Sequence, residues 1–230
     1  MDIIFLGDSL TEGITGASFF NILKGKLPEH NLVNRGKGGD TVISLVRRVK
    51  KMDITKKYDI AFLWVGANDV LANKSILHKS SRLICNQAWT KSATEFRMYY
   101  VDAINTIKRC ARKIFTISPL LTSEIIDSKW NKELQVLSDE MREMSSEFEN
   151  VEFIDLQEDF FKYLLSKKSA KYDMKIRDIL FSFFLKNDED FDKLSKKRGL
   201  FLTCDGVHLN SVGANIVAGI LYKKIVDELK

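Results

Sequence analysis

The segment Tyr58-Asp59-Ile60-Ala61-Phe62-Leu63-Trp64-Val65 is apolar almost without a break, and shorter runs of the same kind recur at Ile3–Leu6, Lys113–Ser118 and Val151–Ile154. A strand with one wet face alternates polar and apolar residues, whereas a strand covered on both faces does not. Between these runs, apolar residues fall at helical spacing, as in Val42, Leu45, Val46 and Val49, or Phe96, Tyr100, Ile104, Ile107 and Ala111. With a brief strand at Asn31–Asn34, the pattern predicts five parallel strands with helices on both faces, a three-layer α/β/α sandwich. The expected strands are Asp2–Leu6, Asn31–Asn34, Tyr58–Val65, Lys113–Ser118 and Val151–Ile154. The expected helices cover about 18–26, 41–50, 90–112, 129–148 and 214–228, the last beginning after a stop near Gly213.

A chain of 230 residues is expected to form one domain over 1–230. The stretch from about Gln157 to Leu202 exceeds what one crossover needs, and it concentrates Phe160, Phe161, Tyr163, Leu164, Ile179, Leu180, Phe181, Phe183, Phe184 and Leu185. It reads as a helical insertion at about 157–202 packed on the sheet edge. A cap that shapes an acyl pocket, or a surface that meets lipid, is the sharper alternative.

The formal charge of +5 is modest, and its lysine and arginine groups (Arg47-Arg48 with Lys50-Lys51, Lys167-Lys168, Lys196-Lys197-Arg198) read as solvated surface. No nucleic-acid module accompanies them, so no nucleic-acid partner is expected. Cys85, Cys110 and Cys204 show no CxxC spacing and read as small buried residues in a reducing compartment. The first apolar run is too short for a signal peptide, and none reaches the roughly 18 residues of a membrane span. A cytoplasmic protein without stable membrane insertion is therefore expected; nothing in the sequence indicates its oligomeric state.

Chemistry is suggested by four polar segments. Gly7-Asp8-Ser9-Leu10 follows the first strand, Asn34-Arg35-Gly36-Lys37-Gly38-Gly39-Asp40-Thr41 the second, and Gly66-Ala67-Asn68-Asp69 the third. Asp205-Gly206-Val207-His208 precedes the final helix. In an open parallel sheet the carboxyl ends of the strands are where ligands bind. Each segment alone is an ordinary turn. Asp205-x-x-His208 lets a carboxylate reach the near nitrogen of an imidazole, leaving the far one to take a hydroxyl proton. Of the other histidines, His30 lies beside a turn and His78 in a polar stretch, so both read as surface residues. The Gly-rich segment fits neither GxxxxGK[ST] nor GxGxxG, which argues against nucleotide binding. No GxSxG elbow is present.

In order and content the four segments resemble the SGNH (GDSL) hydrolase family, with a flavodoxin-like sandwich implied. The resemblance spans Ile3 to Leu209, while the stretch from about Ser123 to Leu202 carries no family motif. It implies Ser9 as nucleophile, with Asp205 and His208 completing the triad. It implies an oxyanion hole of the Ser9 and Gly39 backbone N–H groups and the Asn68 side chain, with Gly38 an open alternative to Gly39. Asp8, Asn34 and Asp69 are expected to brace the loops. The implied activity is a serine esterase or acylhydrolase working through an acyl-enzyme, with no metal and no cofactor. Short-chain esters, O-acetylated sugars, lysophospholipids and acyl thioesters are the candidate substrates, and Val70, Leu71, Leu120 and Leu121 line an acyl pocket or belong to the core. An acyltransferase sharing the acyl-enzyme and a non-catalytic binding module are the rivals.

Overall fold

The computed structural model describes residues 1–53, 55–74, 79–80, 87–167, 172, 179 and 181–229; His78, Cys85, Lys168 and Leu180 lie outside them. Five strands, β1 (Asp2–Gly7), β2 (Asn31–Gly36), β3 (Tyr58–Trp64), β4 (Ala111–Ile117) and β5 (Val151–Ile154), form one sheet in the order β2-β1-β3-β4-β5. Every pairing is parallel. Helices cover both faces, as the unbroken apolar strands require.

Alternate residues of each strand enter opposite layers. Ile3, Phe5, Ile60, Phe62, Trp64, Phe115 and Ile117 face one way. There they meet α2 (Phe19–Lys26), α7 (Leu156–Leu165) and α9 (Ser211–Asp227). Ile4, Leu6, Ala61, Leu63 and Ile114 face the other layer, built from α3 (Val42–Val49), α5 (Ala93–Ile107) and α6 (Lys129–Ser146). The first layer is tied across three strands by Phe5, Phe62 and Phe115, whose rings stack with centroids 4.8 and 5.2 Å apart. Such a pair contributes about 0.5–1.5 kcal/mol beyond its buried area.

Local chemistry sets the helix starts. Ser18, Thr41, Ser92, Ser128 and Asn210 each cap a helix by accepting a backbone N–H of its first turn. Thr41 and Ser44 form a full capping box.

Several expected boundaries are corrected. Ala111 opens β4 instead of continuing a helix to 112, because the Cys110 carbonyl accepts the Tyr58 N–H at 2.7 Å and draws the chain into the sheet. The last helix begins at Ser211, and Gly213 lies inside its first turn. A Cβ on Gly213 would sit 2.2 Å from the Leu202 carbonyl oxygen, so the glycine marks a close approach and not a stop. Two segments expected as turns are helical, α1 (Ser9–Glu12) and α4 (Ala67–Lys74). Within the expected insertion, α7 buries Phe160 and Leu164 in the core. A further helix, α8 (Asp188–Arg198), buries Phe191.

His30 is not a surface residue. Its side chain is 9% exposed, between Glu29 and the Met1 amino group at the amino end of the sheet. Cys110 and Cys204 are free and buried. Among the described residues no helix is long and apolar enough to cross a membrane.

Candidate active site

The register of the sheet decides where the polar segments go. Gly7 of β1 pairs with Gly36 of β2 and with Trp64 of β3, so three strands end level. Asp8-Ser9, Lys37–Thr41 and Gly66–Asp69 therefore leave the same edge, at the β1/β3 position where the strand order reverses.

Asp205 and His208 arrive at this edge from the loop before α9. His208 Nδ1 lies 2.7 Å from Asp205 Oδ2, and His208 Nε2 lies 3.2 Å from Ser9 Oγ. Asp205 Oδ1 accepts the backbone N–H groups of Val207 and His208 at 2.9 and 2.8 Å. Both oxygens of the carboxylate are thereby used, and the imidazole is held in one orientation. Asp205 and His208 are buried, whereas Ser9 at the start of α1 stays half-exposed.

Burial alone would push the Asp205 carboxyl up, but the facing imidazole and the two backbone donors outweigh it and hold the pKa down. For His208, burial opposes the charged form. Asp205 prevails, aided by Asp8 and Glu12, and the imidazole is raised above its usual value. A hydroxyl, an imidazole and a buried carboxylate in series can relay a proton from oxygen to nitrogen while the carboxylate stabilises the imidazolium.

The other segments interlock around Ser9. Asp8 caps α1 through Oδ1, which accepts the Leu10 N–H at 3.1 Å. The Asn68 amide donates to Asp8 Oδ2 at 3.2 Å and to the Asp40 carbonyl at 3.0 Å. It thus joins the segment after β3 to those after β1 and β2. Asn34 donates to the Thr11 carbonyl at 2.7 Å and accepts the Gly36 N–H at 2.8 Å. Asp69 accepts the N–H groups of Val42 and Thr90 at 2.9 and 3.1 Å. The turn at Lys37–Asp40 closes through an Asp40 N–H to Lys37 carbonyl bond, with Gly39 at φ +75°. Gly38 donates its N–H to Glu12 Oε2 at 3.0 Å.

Three supporting residues carry no recognisable motif. Arg48, counted above with the solvated cations, instead reaches Asp40 Oδ2 through Nε at 2.7 Å and donates to the Arg35 and Gly7 carbonyls. Only its spacing from Asp40, two turns along, hints at this. Glu124 is buried and accepts the N–H groups of Phe201, Leu202 and Thr203 at 2.7, 2.8 and 2.7 Å, and the Thr203 hydroxyl at 2.8 Å. Ser123, at φ 75°, donates its N–H to the Gly206 carbonyl at 2.6 Å. The loop after β4 thus holds the chain on both sides of Asp205.

Leu71, Leu120 and Leu121 are buried in the core, while Val70 lines a cleft of about 140 Å³ with Asp69, Asn73 and Phe96. Burial raises the Cys204 thiol pKa and makes it a poor nucleophile. Among the described residues no group of His, Cys, Asp and Glu is arranged to hold a metal ion.

A parallel α/β/α sandwich with a serine, a histidine and an aspartate in series at its carboxyl edge is the build of a serine hydrolase. The chain belongs to the GDSL-like Lipase/Acylhydrolase family, which it matches over residues 5–216, and it is an ester-cleaving serine hydrolase of that type. Similar solved structures include the acetyl xylan esterase AlAXEase, with 24% identity, 98% of this chain and 100% of that one covered, and a TM-score of 0.72. Axe2, an acetylxylan esterase from Geobacillus stearothermophilus, aligns at 18% identity over 97% and 93% of the two chains, with a TM-score of 0.70. LAE5, an alpha/beta hydrolase enzyme from the metagenome of Lake Arreo, aligns at 19% identity over 94% and 91%, with a TM-score of 0.66. No curated protein matches the chain.

Proposed function

We propose that the chain hydrolyses carboxylic esters through an acyl-enzyme on Ser9. The observation that carries this is the unbroken series from Ser9 Oγ through His208 to Asp205, at 3.2 and 2.7 Å. Nδ1–H donates to Asp205, so Nε2 takes the Ser9 proton as Oγ attacks the ester carbonyl. The tetrahedral oxyanion is met by the backbone N–H groups of Ser9 and Gly39 and by the Asn68 amide. The Asn68 N–H now given to Asp8, the longer of its two bonds, is the one offered to the oxyanion. Collapse of the intermediate expels the alkoxide, which takes the proton from Nε2. Water, deprotonated by the same nitrogen, then releases the acid and restores Ser9.

Asp8, Asn34 and Asp69 act as braces, as their contacts support. The substrate panel comprises short-chain esters, O-acetylated sugars of the kind the acetylxylan esterases above are named for, lysophospholipids and acyl thioesters. A reducing, cytoplasmic setting fits the free, buried thiols of Cys110 and Cys204.

Fluorophosphonate labelling tests the nucleophile. The adduct should form on the wild type, map to Ser9 and vanish in Ser9→Ala, together with hydrolysis of p-nitrophenyl acetate. Labelling at another serine, or turnover retained by Ser9→Ala, refutes the assignment. Product analysis with an added alcohol separates hydrolysis from acyl transfer, which shares the acyl-enzyme.

A further inference from the structure

Phe181, Phe183 and Phe184 are 53%, 55% and 79% exposed, three apolar rings within four residues. The residue between them, Ser182, is fully buried and hydrogen-bonds the thiol of Cys204, next to Asp205. The Phe183 ring stands edge-on to the His208 imidazole, with centroids 6.0 Å apart and planes at 64°. This short turn is therefore fastened to the Asp205–His208 loop at two points, with its three rings exposed and that of Phe183 beside the imidazole. On the same loop, Gly16 packs so closely that a Cβ there would lie 3.0 Å from His208 Cβ. Two residues before it, Ile14 is 69% exposed. Apolar side chains held in water at the rim of a reactive site mark a contact surface for something apolar.

The chemistry of the site says which part of a substrate comes there. The acyl group stays on Ser9, but the alcohol must accept its proton from His208 Nε2 and so departs alongside the imidazole. Resting on the esterase reading above, we infer that Phe183 forms an apolar wall of the leaving-group subsite and selects esters of aromatic alcohols. A flat ring in the departing alcohol meets Phe183 as an aromatic pair and removes its exposed face from water.

The test compares three acetates, of benzyl alcohol, of 2-methoxyethanol and of a methyl xyloside, in the wild type and in Phe183→Ala. Thermal melts check that the variant folds, and Leu165→Ala, exposed at the far end of α7, serves as control. Phe183→Ala should lower kcat/KM about tenfold on benzyl acetate and less than about twofold on the other two. Equal losses on all three would make Phe183 a support for His208 instead, and a loss confined to the xyloside would make it a sugar platform. Either pattern, or no loss, overturns the inference while fluorophosphonate labelling of Ser9 leaves the esterase reading standing. A wild type that neither hydrolyses an ester nor labels at Ser9 removes both.

Discussion

Asp205→Asn isolates the orienting carboxylate from the rest of the site. In the folded protein Oδ1 accepts two backbone N–H groups, at 2.9 and 2.8 Å. The introduced amide must keep its oxygen there, because its NH₂ would oppose two donors. That NH₂ then faces His208 Nδ1 across the 2.7 Å gap and forces Nδ1 to accept. The ring proton moves to Nε2, which now points a hydrogen at Ser9 Oγ and can no longer take one. Loss of the correct tautomer in such a triad lowers turnover by about 10⁴, or about 5.4 kcal/mol of barrier. KM should change little, because the lost interaction belongs to the transition state.

The pH dependence follows with a definite sign. His208 works as a base when neutral, and Asp205 raises its pKa, so the acid limb of kcat/KM in the wild type lies above about 6.5. In the variant that limb moves to lower pH. Stability shows the converse window. The depressed Asp205 pKa stabilises the fold above about pH 4, and that stabilisation is lost as pH falls through the folded value. The raised His208 pKa stabilises below about pH 6.5, and that is lost as pH rises through its folded value. The variant's deficit in Tm should therefore be largest between about pH 4 and 6.5 and shrink on either side. Stopped-flow p-nitrophenyl acetate kinetics across pH, with thermal melts alongside, measure both. A rate loss under tenfold, or an acid limb that stays in place or rises, refutes the reasoning.

Asn68→Ala should lower kcat by about 10²–10³ in steady-state ester hydrolysis while Ser9 still labels. Glu124→Gln leaves at least one of four donors facing an NH₂ and should cost about 2–4 kcal/mol, a fall in Tm of roughly 10 °C by calorimetry. Gly213→Ala drives a methyl against the Leu202 carbonyl; denaturant unfolding should show a loss of about 1–3 kcal/mol.

The sheet was legible because strands buried on both faces leave continuous apolar runs, and Tyr58–Trp64 is one of the clearest. Helix ends were less so. Ala111 satisfies the helical spacing of α5, and only pairing with Tyr58 across the sheet makes it a strand residue. Gly213 looks like a terminator in sequence, since nothing local announces the carbonyl of Leu202 beside it. In the site, the residues of the proposed triad and oxyanion hole fall in recognisable segments, but those that hold them do not. Arg48 and Glu124 act on backbone atoms far along the chain, and a backbone acceptor or donor leaves no mark on the sequence. The commitment of the Gly38 N–H to Glu12 likewise follows from two loops meeting.

The pairing of Ser9 with His208 joins residues 199 apart in the chain. On the proposed mechanism, only a polypeptide that has brought the loop before α9 against the start of α1 owns a working centre. Regain of esterase signal on refolding therefore clocks this one long-range closure and ignores any partly assembled species.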